Sequence, residues 1–412
     1  MRIGVTATLR ADPVYLPIEQ MKTHVAFLGG TGSGKTTAAL AVIERLLEAG
    51  VSALLVDRKG DLARYASEAW WNEELADPAQ RQRRRDLRAR IDVSLYTPGQ
   101  ASGRPLRLPV VPSLARANQH DRDQLATFSA SSLAAMMGYG RGTTMTHKQS
   151  VLKRAIELQA DEDEITVEML HSCVSFPDPE LLSSVGALKR FFAPLAEDLQ
   201  SLLIQRGALL AGTGEALDLD TLLPPPEHGR ARLTIIHTGG LGDAAMLQFW
   251  VSRLLVELDR LAARRPRSVL QAVTFFDEAD VYLPATSQPA TKDPMFALLR
   301  RARARGLGVL LATQSPGDLD YKARENILTW LVGKISQERA LEKMGALLGD
   351  YPSVANRLAS QAMGHFFLLG GLAGRTAAEI RTDRSMMVTE PMSEAEVCAL
   401  ANQSAAAARR GT

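Results

Sequence analysis

Cysteines, aromatic residues, long apolar runs and an excess of either charge are all scarce in this sequence. Its two cysteines, Cys173 and Cys398, stand far apart, which leaves no disulfide framework and no cysteine metal cage. That usage suits a reducing compartment, and a cytoplasmic location is the expectation. No run approaches the roughly 18 apolar residues of a membrane helix, so no integral membrane segment is expected. The opening stretch, MRIGVTATLRADPVYLP, lacks the apolar centre of a secretory signal. Aromatics make up 5%, so the core must lean on Leu, Val, Ile and Ala. Lys plus Arg number 48 against 46 Asp plus Glu, a net charge of +2. There is then no global pull toward nucleic acid, and any such surface must be a local patch. What remains is 412 residues of globular composition, 46% hydrophobic and 23% charged, enough for two or more domains and a large core. No repeat of fixed period is present.

The pattern along the chain is α/β, then helical, then α/β again. THVAFLGGTGSGKTTAALAVIERLLEAG reads as strand, glycine-rich turn, helix and a Gly50 stop. VSALLVD is a second strand. PAQRQRRRDLRAR carries six arginines between Arg81 and Arg90, either a solvated helix face or a DNA or phosphate patch. IDVSLYTPG reads as a strand, and residues 119–223 as mainly helical. LLPPPEHG closes that block. Strands return in ARLTIIHTGG, SVLQAVTFFDEAD, LGVLLATQ, ILTWLVGKIS and GHFFLLGG, with helices between them.

Gly29, Gly34, Lys35 and Thr36 satisfy G-x-x-x-x-G-K-[ST], and the motif has its proper context, an apolar strand before and an amphipathic helix after. Glycines let backbone N–H groups wrap phosphate oxygens, and the helix N-terminus adds partial positive charge. The expected cradle is Gly29, Gly30, Thr31, Gly32, Ser33, Gly34, Lys35, Thr36 and Thr37. Lys35 suits the β- and γ-phosphates of ATP, and the Thr36 hydroxyl suits Mg²⁺. In VTFFDEAD, Asp277 at a strand tip can complete the Mg²⁺ shell and Glu278 can polarise an attacking water. The competing reading is a helix cap. A paired Asp-Glu favours hydrolysis over a nucleotide switch.

The strand GVLLATQ follows that pair by about thirty residues with a helix between, a β-α-β unit whose strands are parallel. Gln314 then leaves the core on the edge that carries Lys35. Its amide can donate to phosphate and accept from water, or it can cap the following loop. Upstream, LLRRARARG holds Arg300, Arg301, Arg303 and Arg305. A fork of fixed charge is what phosphoryl transfer takes from a neighbouring subunit, and a solvated basic helix is the alternative.

Together, HVAFLGGTGSGKTT, LLVDRKGDLA, VTFFDEADVYLP, RARARGLGVLLATQSP and GHFFLLGG resemble the HerA–FtsK superfamily of P-loop motor ATPases, in the order and spacing of its HerA branch. The likeness covers roughly residues 20–62 and 231–385. It implies a RecA-like core with a mainly parallel sheet, assembled as a hexameric ring that pumps double-stranded DNA. Carried over by position, Lys35 and Thr36 bind nucleotide and Mg²⁺, and Asp277 and Glu278 are the metal and water residues. Gln314 is the sensor and Arg303 the finger acting in trans, with Arg300 and Arg305 behind it. HerA proteins usually begin with a β-barrel, whereas about twenty residues precede the first core strand here.

The resulting division is 1–62 and 231–388 for the two parts of the ATPase core, 63–230 for a mainly helical insertion, and 389–412 for a tail of one short helix followed by disorder. Three functions compete. The first is a ring-forming DNA translocase or helicase working with a partner such as a nuclease, and the second a motor of secretion or conjugation driven with protein partners. The third is an ATP-dependent scaffold or switch. HTGGLGD and SPGDLDYKAREN, with Lys322 and Arg324, are candidate DNA-contacting loops.

Overall fold

A computed structural model describes residues 1–410 except 116, 141, 211–213, 227–228, 372–376 and 388. Its strands are β1 Arg2–Thr6, β2 Pro13–Tyr15, β3 Val25–Leu28, β4 Ser52–Asp57, β5 Ile91–Tyr96, β6 Leu106–Arg107, β7 Glu215–Ala216, β8 Ala231–His237, β9 Ala272–Phe276, β10 Leu307–Thr313, β11 Thr329–Val332, β12 His365–Gly370 and β13 Ala378–Thr382. All but β6 and β7 form one 11-stranded sheet in the order β2-β1-β13-β12-β11-β3-β10-β9-β4-β8-β5. From β11 to β5 every pairing is parallel. From β12 outward the pairings are antiparallel.

The central strands are buried on both faces, which is why they read as continuous apolar runs. In β4, Ala53 and Leu55 meet the layer that contains the Lys35–Glu48 helix, whereas Leu54 and Val56 meet the layer that contains the Ala244–Arg264 helix. The helical block packs into this second layer through Leu133, Leu152, Leu170 and Leu195. Residues 227 and 228 of the stretch expected to close that block lie outside the described residues.

Two boundaries move. β5 lies inside the expected insertion, yet it pairs with β8 and completes the parallel sheet. The core therefore continues to Tyr96 before the helices begin. The tail, expected as one short helix followed by disorder, carries a 17-residue helix, Glu394–Arg410, and of its residues 411 and 412 lie outside the described ones. It covers the β5 edge by burying Val397, Cys398, Ala401 and Ala405, and the Ser404 Oγ accepts the Leu95 N–H at 3.2 Å. An edge strand needs such cover, and small side chains allow the close approach. The first fifteen residues also belong to the sheet, since β1 pairs with both β2 and β13.

The arginine run forms the helix Pro78–Arg90, which leaves Arg85 and Arg90 exposed, as expected of a solvated face, but turns other arginines inward. Arg84 is buried, stacks over Trp70 at 4.3 Å and donates to the Trp70 carbonyl at 2.7 Å. Arg83 donates to Glu48 at 2.6 Å, and Arg88 pairs with Glu68. These arginines fasten the helix to the Lys35–Glu48 helix and to the Trp70–Trp71 pair.

Candidate functional site

The phosphate-binding loop joins β3 to the Lys35–Glu48 helix at the carboxyl edge of the parallel strands. Gly32 and Gly34 take φ of 75° and 89°, a region that disfavours side chains. A Cβ on Gly29 would lie 2.5 Å from the Ser33 Oγ, so the turn closes only with glycine there. The loop is braced from behind, because the Gly30 N–H donates to the Lys334 carbonyl at 2.8 Å and the Gly364 N–H to the Ser33 carbonyl at 3.0 Å. Thr31 and Gly32 remain exposed at the rim. The Ser33 Oγ is buried without a partner among the described residues. A glycine-lined turn at a helix N-terminus with an orphaned hydroxyl fits a phosphate-bearing ligand. Lys35 opens the helix and is buried; that burial lowers its pKa, against the pull of Asp277.

Register aligns the rest. β10 lies between β3 and β9, with Thr313 opposite Leu28 and Leu311 opposite Phe276. Gln314 therefore leaves the sheet between the phosphate loop and the acidic strand end. Asp277 is 4% exposed, and burial pushes its carboxyl up to about 6. Lys59 and Lys35 oppose that rise, and Asp61 adds to it. The Asp277 carboxyl and the hydroxyl of Thr36, the second residue of the Lys35–Glu48 helix, are hard oxygen donors of the kind that suits Mg²⁺. The Glu278 N–H donates to the Asp277 Oδ1 at 3.0 Å.

Glu278 has φ 53° and ψ 49°, a left-handed backbone that costs a side-chain-bearing residue about 1 kcal/mol or more. Its carboxylate lies against β10, where the Gln314 Nε2 donates to Oε1 at 2.8 Å. The Thr31 hydroxyl in turn donates to the Gln314 Oε1 at 3.4 Å. One line of contacts thus runs from the acidic pair through the glutamine to the phosphate loop. Thr313 donates to Asp280, which holds the strand end beside it.

The residues that sequence reasoning missed lie in the turn that follows β4, the neighbour of β9, where Val56 is opposite Phe276. Lys59 Nζ is 2.9 Å from Glu278 Oε1, and Arg58 Nη1 is 3.3 Å from Oε2. Burial alone would raise the Glu278 pKa, but Lys59, Arg58 and Gln314 outweigh it and hold the carboxylate below its ordinary range. The available signal was the run DRKGD at a strand end, which the resemblance picked out but to which no roles were attached.

The arginines fall elsewhere. Arg303 lies just before β10, at the amino edge, a seven-residue strand away from Gln314, on the order of 20 Å. Arg301 and Arg305 are tied to Asp259 at 2.8 Å and 3.1 Å. Arg300 and Arg303 are exposed and have no ion-pair partner among the described residues. Beneath them the buried His24 accepts from the Val309 N–H at 3.0 Å and contacts the Leu299 carbonyl at 2.8 Å through Nε2. Burial lowers its pKa to about 4, so the ring is neutral. The two candidate DNA loops both leave the site edge. Lys322 has no ion-pair partner among the described residues, whereas Arg324 donates to the Ala346 carbonyl. Among the described residues no helix is long and apolar enough to cross a membrane.

Fold and site together define a nucleotide-binding P-loop ATPase fold, with a mostly parallel sheet flanked by helices. A family model described as the central domain of helicase HerA matches residues 2–163. Over nearly its whole length the chain is similar in structure to VirB4 of Thermoanaerobacter pseudethanolicus, at 13% identity, with 93% of this chain and 96% of that one covered and a TM-score of 0.63. It is also similar to the plasmid coupling protein TrwB in complex with ADP and Mg²⁺, at 13% identity over 94% and 90% of the chains, with a TM-score of 0.58. The unbound bacterial conjugative coupling protein TrwBdeltaN70 gives 12% identity, 95% and 91% coverage and a TM-score of 0.56. At such identities the likeness is one of fold. No curated protein matches by sequence. Residues 2–163 thus match a HerA central domain, and the chain as a whole has a HerA–FtsK-type P-loop ATPase fold of the kind seen in VirB4 and TrwB.

Proposed function

We propose that the chain hydrolyses ATP and couples turnover to movement of double-stranded DNA through a homo-oligomeric, hexameric ring, with a partner protein such as a nuclease. The observation that carries hydrolysis is the line Glu278–Gln314–Thr31, which joins a carboxylate to the phosphate loop through one amide. A mere scaffold does not need a carboxylate held there.

In this reading Lys35 and the backbone N–H groups of the loop hold the phosphates. The Thr36 hydroxyl and the Asp277 carboxylate would hold Mg²⁺, which would supply neutralisation of phosphate charge. Glu278 takes the proton of the attacking water, and Gln314 keeps that carboxylate and the loop in register. Arg303 cannot reach its own subunit's site from the amino edge, so it serves the site of a neighbour. The HerA domain match supports DNA as the cargo.

The whole-chain likeness in fold to a bacterial conjugative coupling protein favours a second reading, a conjugation or secretion motor that acts with protein partners. ATP turnover measured with and without linear double-stranded DNA, across a salt series, separates the two. Stimulation that fades with salt is expected of DNA contact, because neutralised phosphates release counterions. Robust turnover indifferent to DNA would remove the DNA reading and leave the protein-partnered motor.

A further inference from the structure

The β4 loop is built as a rigid pedestal. The Asp57 carboxylate accepts the N–H groups of Lys59, Gly60 and Leu62 at 3.1, 3.0 and 3.1 Å. Gly60 takes φ of 81°, and a Cβ there would press on Val397 at 3.2 Å and His237 at 3.4 Å. The backbone beneath Lys59 is therefore fixed, while its side chain stays 41% exposed. A four-carbon stem with that exposure can swing; the 8%-exposed Lys35 cannot.

The Glu278 carboxylate is engaged at both oxygens before any ligand arrives. Oε1 takes donors from Lys59 and Gln314, and Oε2 takes Arg58. With Oε1 filled and two cations against it, the carboxylate is a weakened base. Lys59 is also close enough to Lys35 for the two charges to repel, and it is three contacts from Thr31 of the phosphate loop, through Glu278 and Gln314. A third phosphate placed against Lys35 would bring negative charge into competition with Glu278 for the same ammonium.

We propose that Lys59 is a two-position residue: it holds Glu278 until ATP binds, then transfers to the terminal phosphate and frees Glu278 for the attacking water. ADP lacks that phosphate and leaves the restraint closed. The inference rests on the reading of Glu278 as the water-polarising residue, and it makes Lys59 a positioning residue that acts through Glu278.

The test is a binding cycle on the full chain. Wild type, E278Q, K59M and the double variant are titrated calorimetrically with a non-hydrolysable ATP analogue and with ADP, both with Mg²⁺. K59Q repeats the cycle, and thermal melting checks that each protein is folded. Release of Lys59 by E278Q should tighten the ATP analogue about five- to tenfold and ADP less than about twofold, a coupling usual for groups in contact. In the K59M and K59Q backgrounds that gain should vanish. Equal tightening with or without Lys59 would show a general charge effect and overturn the proposal, as would equal tightening of both nucleotides or none. Turnover of E278Q is read separately. An E278Q protein that still hydrolyses ATP would refute the base assignment without altering the outcome of the binding cycle.

Discussion

Gln314→Ala isolates the contact on which the hydrolytic reading depends. The amide makes one good bond, to Glu278 at 2.8 Å, and one marginal bond, from Thr31 at 3.4 Å. A hydrogen bond to a charged group contributes about 1.5–3 kcal/mol. If that bond orients the carboxylate in the transition state, its loss lowers kcat by roughly 10- to 150-fold. KM for ATP should move by less than about twofold, since Lys35 and the loop backbone remain intact. Thr31→Ala should cost much less, because a 3.4 Å contact is near the limit of a hydrogen bond. Steady-state ATP turnover with a coupled assay reads both constants, and thermal melting confirms folding. A Gln314→Ala enzyme whose kcat stays within about threefold of wild type would sink the argument, as would one whose loss lies only in KM.

Other outcomes follow from the same geometry. Arg303→Ala and Lys35→Ala proteins should each be inactive, the former by about a thousandfold, and mixing them should restore turnover if Arg303 acts in trans; a mixture as inactive as its components would argue against a finger there. Arg84→Ala should lower stability by about 2–4 kcal/mol in urea unfolding, because it removes a buried side chain, its stacking on Trp70 and its bond to the Trp70 carbonyl, which keeps only the Glu73 N–H. Arg85→Ala on the same helix should change it by less than about 0.5 kcal/mol. Asp277 has its carboxyl raised from 3.8 to about 6 by burial, so its ionisation opposes folding, with a cost that grows between those pH values and is constant above them. Asp277→Asn should therefore stabilise the nucleotide-free protein at pH 8 by up to about 3 kcal/mol and hardly at all at pH 4, while Mg²⁺-dependent nucleotide binding is lost. A destabilised Asp277→Asn at pH 8 would contradict the burial argument.

What could be read before folding was local. The phosphate loop lies within eight consecutive residues, and its glycines, lysine and threonine carry their chemistry in that order. The placement of Gln314 beside Glu278 needed one further rule, that a β-α-β unit has parallel strands, and β9 and β10 are parallel neighbours. Arg58 and Lys59 lay out of reach because their role depends on β4 lying next to β9, a pairing between strands more than 200 residues apart. The arginine run was opaque for the same reason, since Trp70 lies outside the helix that carries Arg84. The tail was misjudged because alanine-rich composition resembles a solvated helix, and only the exposed β5 edge gives those small residues something to cover.

The sheet also bears on why a proposed motor of this kind should work only as an assembly. Parallel strands send the phosphate loop, Asp277, Glu278 and Gln314 to the carboxyl edge, while the turn before β10 leaves Arg300 and Arg303 at the amino edge. The strand between is buried and rigid, so no side-chain motion within one chain closes a gap of about 20 Å. Arg301 and Arg305 satisfy Asp259, whereas Arg300 and Arg303 face outward without such a partner among the described residues. An arginine edge that meets a phosphate edge is a head-to-tail contact between unlike surfaces. Repeated with a closing rotation, such a contact generates a ring, and without closure it generates a filament. His24 gives this edge its stiffness, because a neutral buried ring ties the start of β3 to Val309 and to the helix end at Leu299. Movement of the phosphate-loop strand would then be felt directly beneath the exposed arginines of the amino edge.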